Sequence, residues 1–221
     1  PEQGYVEENA GEIYAETLAS LVEMIEQADK PENILGIGVT NQRETVIAWD
    51  KTTGKPLYNA IVWQCRRTAE TIAEIGEKHG GTIREKTGLV LDAYFSASKM
   101  KWLMDNVPAI REKAAAGELC FGTVDSFLCY KLTGGKAFVT DVTNASRTML
   151  FNIHACEWDD ELLNIFGIPK NSLPKVIMSD ETVGEFEYNG VKIPVCGVAG
   201  DQQAALVGQG CLNVGDSKIT Y

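Results

Sequence analysis

Two charged clusters follow apolar runs of this chain, where the strands of an α/β sheet would end. Arg43 and Glu44 come after the run 34–40, and Asp201 comes after the run 193–199. In α/β proteins, ligands bind beyond the carboxyl ends of strands. Arginine offers a planar fork of donors, and the carboxylates offer acceptors. Together these side chains would form a charged pocket for a small polyhydroxylated substrate.

Asp201 is the residue with the clearest catalytic chemistry. It follows Gly200, which allows a tight backbone turn, and it precedes a helical pattern. Its carboxylate could be the general base toward a substrate hydroxyl, as phosphoryl transfer to an alcohol requires. It could also be only the N-cap of the helix. Arg43 and Glu44 could likewise be only a surface ion pair in a solvated turn. The residues alone leave these alternatives open.

Aromatic residues accompany the charged clusters. Trp63 follows the extended stretch 56–62, and Tyr94 and Phe95 follow the segment 88–93. An aromatic ring in such a place can pack against the carbon atoms of a polyol while polar groups bind its hydroxyls. The alternative is that these rings belong to the core, which is the more frequent position of a tryptophan.

Composition narrows the class of protein. The chain has 31 acidic and 20 basic residues and a formal net charge of −11, which disfavours nucleic acid or an anionic membrane as the main partner. No apolar stretch approaches the ~18 residues of a membrane span. The six cysteines form no CxxC pair, and several lie in apolar runs, which is typical of reduced cytoplasmic proteins. His79 and His154 lack partners at metal-ligand spacing, so no metal site is predicted here.

Hydrophobic periodicity predicts helices and strands along most of the chain. Asn9 is a candidate N-cap of the first helix, with Glu12 as its capping-box partner. The predicted helices cover residues 9–28, 66–79, 96–106, 108–116, 124–132, 158–166 and 201–208. The predicted strands cover 34–40, 46–50, 56–62, 119–123, 182–187, 191–199 and 217–221. The first three strands are expected to form an antiparallel meander, and residues 137–152 are expected to be irregular.

Five segments, in order along the chain, resemble the FGGY carbohydrate kinases. They are Asn-Gln-Arg-Glu-Thr (41–45), Val-Trp-Gln-x-Arg-Arg-Thr (62–68), Tyr-Phe-Ser (94–96), Thr-Asn-Ala-Ser-Arg-Thr-Met-Leu-Phe-Asn (143–152) and Gly-x-Ala-Gly-Asp-Gln-Gln-Ala-Ala-Leu (197–206). The last is shared widely in the family. The Gln-Arg-Glu-Thr segment is the most specific, and it is similar to that of the members that phosphorylate glycerol.

The resemblance implies an α/β fold, a mixed sheet with flanking helices of the actin/hexokinase/Hsp70-like (ribonuclease H-like) ATPase type. It implies that residues 1–221 are the N-terminal, glycerol-binding domain, lacking its first strands and the C-terminal nucleotide-binding domain. It also implies roles for individual residues, with Asp201 as the catalytic base. The implied substrate-binding residues are Arg43, Glu44, Trp63, Tyr94, Asp201 and Gln202.

The activity that the resemblance implies is ATP-dependent phosphorylation of glycerol to glycerol 3-phosphate, in glycerol catabolism. ATP and Mg²⁺ are expected to be bound mainly by segments outside this chain, so no cofactor-binding residue is assigned and the chain alone is expected to be inactive. The parent enzyme is expected to be a cytoplasmic homo-oligomer, a dimer or tetramer. The alternatives are another FGGY kinase acting on a polyol or pentulose, and a non-catalytic binding domain.

Overall fold

Helices and strands alternate along the chain, and the computed structural model describes them over residues 3–220. The helices are α1 (Ala10–Gln27), α2 (Ala69–Thr87), α3 (Ser96–Asn106), α4 (Pro108–Ala115), α5 (Val124–Leu132), α6 (Val142–Ala145), α7 (Asp160–Phe166) and α8 (Asp201–Gly208). The strands are β1 (Glu7–Glu8), β2 (Ile37–Asn41), β3 (Val46–Asp50), β4 (Ala60–Ile61), β5 (Leu119–Thr123), β6 (Val139–Asp141), β7 (Phe151–Asn152), β8 (Glu157–Trp158), β9 (Lys175–Ile177), β10 (Gly184–Tyr188) and β11 (Val191–Gly200). The predicted α/β class is confirmed.

Two sheets carry the architecture. One has the order β1-β4-β3-β5 and is antiparallel throughout. The other has the order β10-β11-β2, with β10 antiparallel and β2 parallel to β11. The predicted meander is correct for β3 and β4, which pair antiparallel, and wrong for β2, which lies in the other sheet. Strand pairing depends on which faces become buried together, and neighbouring strands in the sequence need not pair.

Local signals fix most of the element ends. The Asn9 side chain caps α1, because its Oδ1 accepts hydrogen bonds from the backbone amides of Gly11 and Glu12. Its side-chain amide nitrogen, Nδ2, donates to the Glu12 carboxylate. Residues 137–152, expected to be irregular, instead contain β6, α6 and β7. Asp141 stabilises this segment by capping α6 through the amides of Thr143 and Asn144. Residues 217–220 form no strand, and Tyr221 lies outside the described residues.

Two hydrophobic cores lie on either side of β3. One packs β3 and β5 against α2, α3, α4 and α7. The other packs α1 and α5 against β2 and β11, with Trp49 fully buried at its centre. The Trp49 ring makes edge contacts with Phe127 and Phe138 at centroid distances of 5.3 and 5.4 Å. The second core includes Val39 of β2 and Val198 of β11, which holds the two strands together near their carboxyl ends.

None of the helices formed by residues 3–220 is long and apolar enough to cross a membrane.

All six cysteines lie within residues 3–220 and are free. Cys129 is buried as its apolar run indicates, whereas Cys196 is only half-buried.

Gly122 is a point where α5 and β3 approach β5 closely. A Cβ atom there would lie 2.6 Å from Ser126 Cβ and 3.0 Å from the Trp49 ring. Gly122→Ala is therefore expected to lower the free energy of unfolding of the full-length protein by about 1 to 3 kcal/mol, because a packed core has no room for the methyl group. Urea unfolding measures this value. Gly80→Ala in α2, where an added Cβ meets nothing within 4 Å, is the control and should not destabilise.

Candidate active site

The ends of β2 and β11 bring the two charged clusters together. Asn41 pairs with Gly200 in the parallel register, so the residues that follow each strand lie side by side. Arg43 Nε lies 3.2 Å from Asp201 Oδ1, and Arg43 Nη1 donates to Gln203 Oε1 at 3.3 Å. Gly200 is required for this approach, because a Cβ there would overlap Arg43 Cδ and lie 2.6 Å from Cγ.

Asp201 occupies the first position of α8, not its cap. The N-cap is Gly200, which makes no side-chain capping bond, so the alternative role of Asp201 as an N-cap does not hold. Its side chain is 47% exposed. The helix N-terminus and Arg43 both stabilise its negative charge. One carboxylate oxygen faces Arg43 and the other accepts from Gln202 Nε2 at 3.3 Å, so the group remains accessible as a proton acceptor.

Glu44 is buried between two guanidinium groups. It is only 2% exposed, so the alternative of a solvated surface ion pair does not hold. Arg43 Nη2 lies 3.7 Å from Glu44 Oε1, and Arg147 Nε donates to the same oxygen at 2.7 Å. A carboxylate taken out of water needs such partners. Sequence reasoning did not assign Arg147 to the site, since no spacing links it to Glu44.

Aromatic rings border the charged residues. Trp63 and Tyr94 are half-buried and meet edge to face, with centroids 5.5 Å apart, while Phe95 is buried. Burial raises the pKa of the Tyr94 hydroxyl, and the negative charge of Glu44 raises it further. The guanidinium carbon of Arg147, which binds Glu44, lies 6.0 Å from the centre of the Tyr94 ring. The half-buried rings are suited to cover the carbon atoms of a ligand held by Arg43 and Glu44.

The Gln202 side chain contacts Asp201, but most of its hydrogen bonds are to residues outside the predicted site. Its amide nitrogen donates to Asp201, but its Oε1 accepts from Lys218 Nζ at 2.9 Å and from Thr220 Oγ1 at 3.0 Å. The contacts therefore connect Arg43, Glu44 and Asp201 directly. Arg147 joins them through Glu44, and Gln202 joins through Asp201. Tyr94 lies beside Arg147, and Trp63 contacts Tyr94.

A buried polar network lies behind the two strand ends. Asn41 Nδ2 donates to Asn144 Oδ1 at 3.0 Å, and the Gly200 amide donates to Thr143 Oγ1 at 2.8 Å. Thr143 in turn donates to the Asp141 carboxylate at 2.6 Å. These bonds link the end of β2 and the start of α8 to α6, the helix that precedes Arg147, and they fix the backbone that carries the charged side chains.

Lys99 stabilises the backbone of the site. The side chain is fully buried, and its ammonium donates to the backbone oxygens of Glu44 (3.2 Å), Phe95 (2.9 Å) and Tyr94. It thereby joins the turn that carries Glu44 to the segment that carries Tyr94. Burial lowers the pKa of Lys99 to about 7, and the nearby carboxylate of Glu44 opposes that change.

Lys99→Met is expected to destabilise the full-length protein by about 2 to 4 kcal/mol at pH 8, because the buried carbonyl oxygens around Lys99 Nζ lose their N–H donors. The difference should grow between pH 7 and 10.5. In that window the unfolded wild type binds more protons at Lys99 than the folded form, so Lys99 contributes a rise in stability with pH that the methionine variant lacks. Chemical unfolding at several pH values measures both effects.

The control is Lys101→Met, the same change on the same helix at a partly exposed position paired with Asp105. It should cost less than about 1 kcal/mol. Equal losses for the two variants, or a difference that is independent of pH, would contradict the role of Lys99.

Metal ligands do not gather in this part of the protein. Residues 3–220 contain no group of three or more His, Cys, Asp or Glu side chains placed to hold a metal ion. The side chains of Arg43, Glu44 and Asp201 can bind hydroxyl groups, and a carboxylate such as that of Asp201 can accept a proton.

Comparisons with known proteins identify the family of the chain. The FGGY family of carbohydrate kinases, N-terminal domain, matches residues 1–208. A glycerol kinase of Bacillus thuringiensis is 57% identical over 226 residues, which cover 100% of this chain and 46% of the relative. The crystal structure of Plasmodium falciparum glycerol kinase with ADP is 37% identical, with a TM-score of 0.89, and covers 100% of this chain and 45% of that chain.

A xylulose kinase from Rhodospirillum rubrum has the same fold. Its TM-score is 0.84 at 20% identity, and the match covers 97% of this chain and 44% of that chain. In each comparison the chain spans about half the length of the protein it matches.

Proposed function

Because the chain belongs to the FGGY family of carbohydrate kinases, we propose that its enzyme transfers the γ-phosphoryl group of ATP to glycerol, giving glycerol 3-phosphate. The observation that carries the proposal is the ion pair of Arg43 and Asp201, 3.2 Å apart at two adjacent strand ends. The identity of 57% to a glycerol kinase supports the choice of substrate. Residues 1–221 are proposed as its glycerol-binding domain.

The proposed mechanism assigns each side chain a separate task. Arg43 donates to one glycerol hydroxyl and Glu44 accepts from a neighbouring one, which orients the triol. Trp63 and Tyr94 cover its carbon atoms, and Gln202 completes the polar contacts beside the base. Asp201 accepts the proton of the terminal glycerol hydroxyl. The oxygen of that hydroxyl attacks the γ-phosphorus of ATP, and the bond between the γ-phosphorus and the oxygen that leaves with ADP breaks.

ATP and Mg²⁺ are proposed as the nucleotide and its metal, bound mainly by segments outside this chain. When bound, they supply the phosphoryl group and neutralise its charge. The ADP in the Plasmodium falciparum structure supports the nucleotide. The chain alone is therefore expected to be inactive. A cytoplasmic, homo-oligomeric enzyme is proposed as well, and the free cysteines support that compartment.

A substrate panel on the full-length protein tests the function. ADP release is measured with glycerol, with xylulose and with gluconate as acceptors, and glycerol is expected to give the highest kcat/KM. A higher value with xylulose or gluconate would replace glycerol kinase by another FGGY kinase. Glycerol binding by calorimetry without any turnover would identify a non-catalytic binding domain.

A further inference from the structure

Arg147 binds Glu44, but the proposed mechanism assigns it no role. We infer that Arg147 is a positioning residue, which orients the Glu44 carboxylate for a substrate hydroxyl and balances its charge. The inference rests on the proposed function, because it specifies how the same site binds its triol. It concerns the loop after α6, which the sequence patterns predicted to be irregular.

The first argument is the geometry at Glu44. Both guanidinium contacts use Oε1, with Arg147 Nε at 2.7 Å and Arg43 Nη2 at 3.7 Å. Neither guanidinium donates a hydrogen bond to Oε2, so Oε2 is the oxygen assigned to a substrate hydroxyl. The guanidinium carbon of Arg147 also lies 4.8 Å from the centre of the Phe95 ring. A ring on one side and a carboxylate on the other restrict the rotation of the arginine.

The second argument is the backbone that presents Arg147. Met149 is fully buried and has a φ of 63°, a conformation that is costly for a residue with a Cβ. Thr148 holds the turn on both sides, because its carbonyl accepts from the Ala97 amide at 2.8 Å and its hydroxyl donates to Ala145 O at 2.7 Å. The surrounding core therefore imposes one shape on this turn, which is how a side chain is kept in a fixed position.

The third argument is charge. Arg43 and Arg147 carry two positive charges, and Glu44 and Asp201 carry two negative ones, so the cluster is neutral and suits an uncharged ligand. Without Arg147 the cluster would have an excess negative charge next to the place where the γ-phosphate must arrive. Arg147 is 25% exposed, so its charge acts at the surface of the site as well.

A double-mutant cycle in the full-length enzyme tests whether Arg147 acts through Glu44. Arg147→Met is expected to raise the KM for glycerol by roughly 10- to 100-fold, with a smaller effect on kcat. Arg147→Lys, which keeps the charge but not the planar fork, should fall between that variant and wild type. In the Glu44→Gln background, Arg147→Met should change KM by less than roughly threefold, because its target is already altered. Arg84→Met, at an exposed arginine of α2, is the control.

The cycle separates the inference from the proposed function. Absence of glycerol turnover in wild type would overturn the proposed function and the inference with it. Normal wild-type kinetics with an unchanged KM in Arg147→Met would overturn the inference alone. Equal losses from Arg147→Met in both backgrounds would also overturn it, since a general structural role does not depend on the carboxylate. Thermal unfolding of each variant shows whether it is folded.

Discussion

Asp201→Asn is expected to lower kcat for glycerol phosphorylation by roughly 10²- to 10⁴-fold, the usual contribution of a general base. Asparagine has the same shape and can accept hydrogen bonds, but it cannot take the proton of the attacking hydroxyl. The side chain makes no capping bond in α8, so its loss should leave the helix intact. Glycerol binding should therefore change by much less than kcat.

Two measurements on the full-length enzyme check this expectation. Coupled ADP release gives kcat, and titration calorimetry gives the dissociation constant for glycerol. Asp29→Asn, the same change at an exposed carboxylate after α1, should behave as wild type. Turnover of Asp201→Asn within tenfold of wild type would remove Asp201 from the role of base.

The apolar runs before Arg43 and Asp201 predict that each lies at a strand end, where ligands bind, and the family resemblance implies that the two belong to one site. The helix boundaries of α3, α5 and α8 could also be predicted from periodicity and caps. The pairing of β2 with β11 could not. Local pattern favoured a meander with β3, but burial in the core around Trp49 joins β2 to a strand at the other end of the chain.

Glu44 shows why the rest of the site was not predictable. Its neighbours Arg147 and Lys99 lie 103 and 55 residues away in the sequence, and neither belongs to a pattern that points to a carboxylate. Whether an Arg-Glu pair is solvated or buried depends on these distant partners. A buried lysine is likewise visible only when the three carbonyl oxygens around it are known. The resemblance to a family suggested which residues meet, and the contacts explain how they are held.

Arg43→Met is expected to raise the KM for glycerol by roughly 10²- to 10³-fold, since truncating one member of a buried charge pair commonly costs 2–5 kcal/mol. The arginine contacts both Asp201 and Glu44 and is 11% exposed, so its loss leaves two carboxylates with one remaining cation, Arg147. The cost therefore includes repulsion between those carboxylates as well as the lost bond to substrate.

Arg43→Lys separates charge from shape, because lysine keeps the positive charge but cannot contact Asp201, Glu44 and a hydroxyl with one planar group. Its KM should rise by roughly tenfold, clearly less than in Arg43→Met. Steady-state kinetics of the full-length enzyme measure both variants, with Arg84→Met as an exposed control. If Lys and Met variants were equally impaired, charge would contribute little and the fork geometry would be decisive. If neither changed KM, the ion pair with Asp201 would have no part in binding, and the site built on it would have to lie elsewhere.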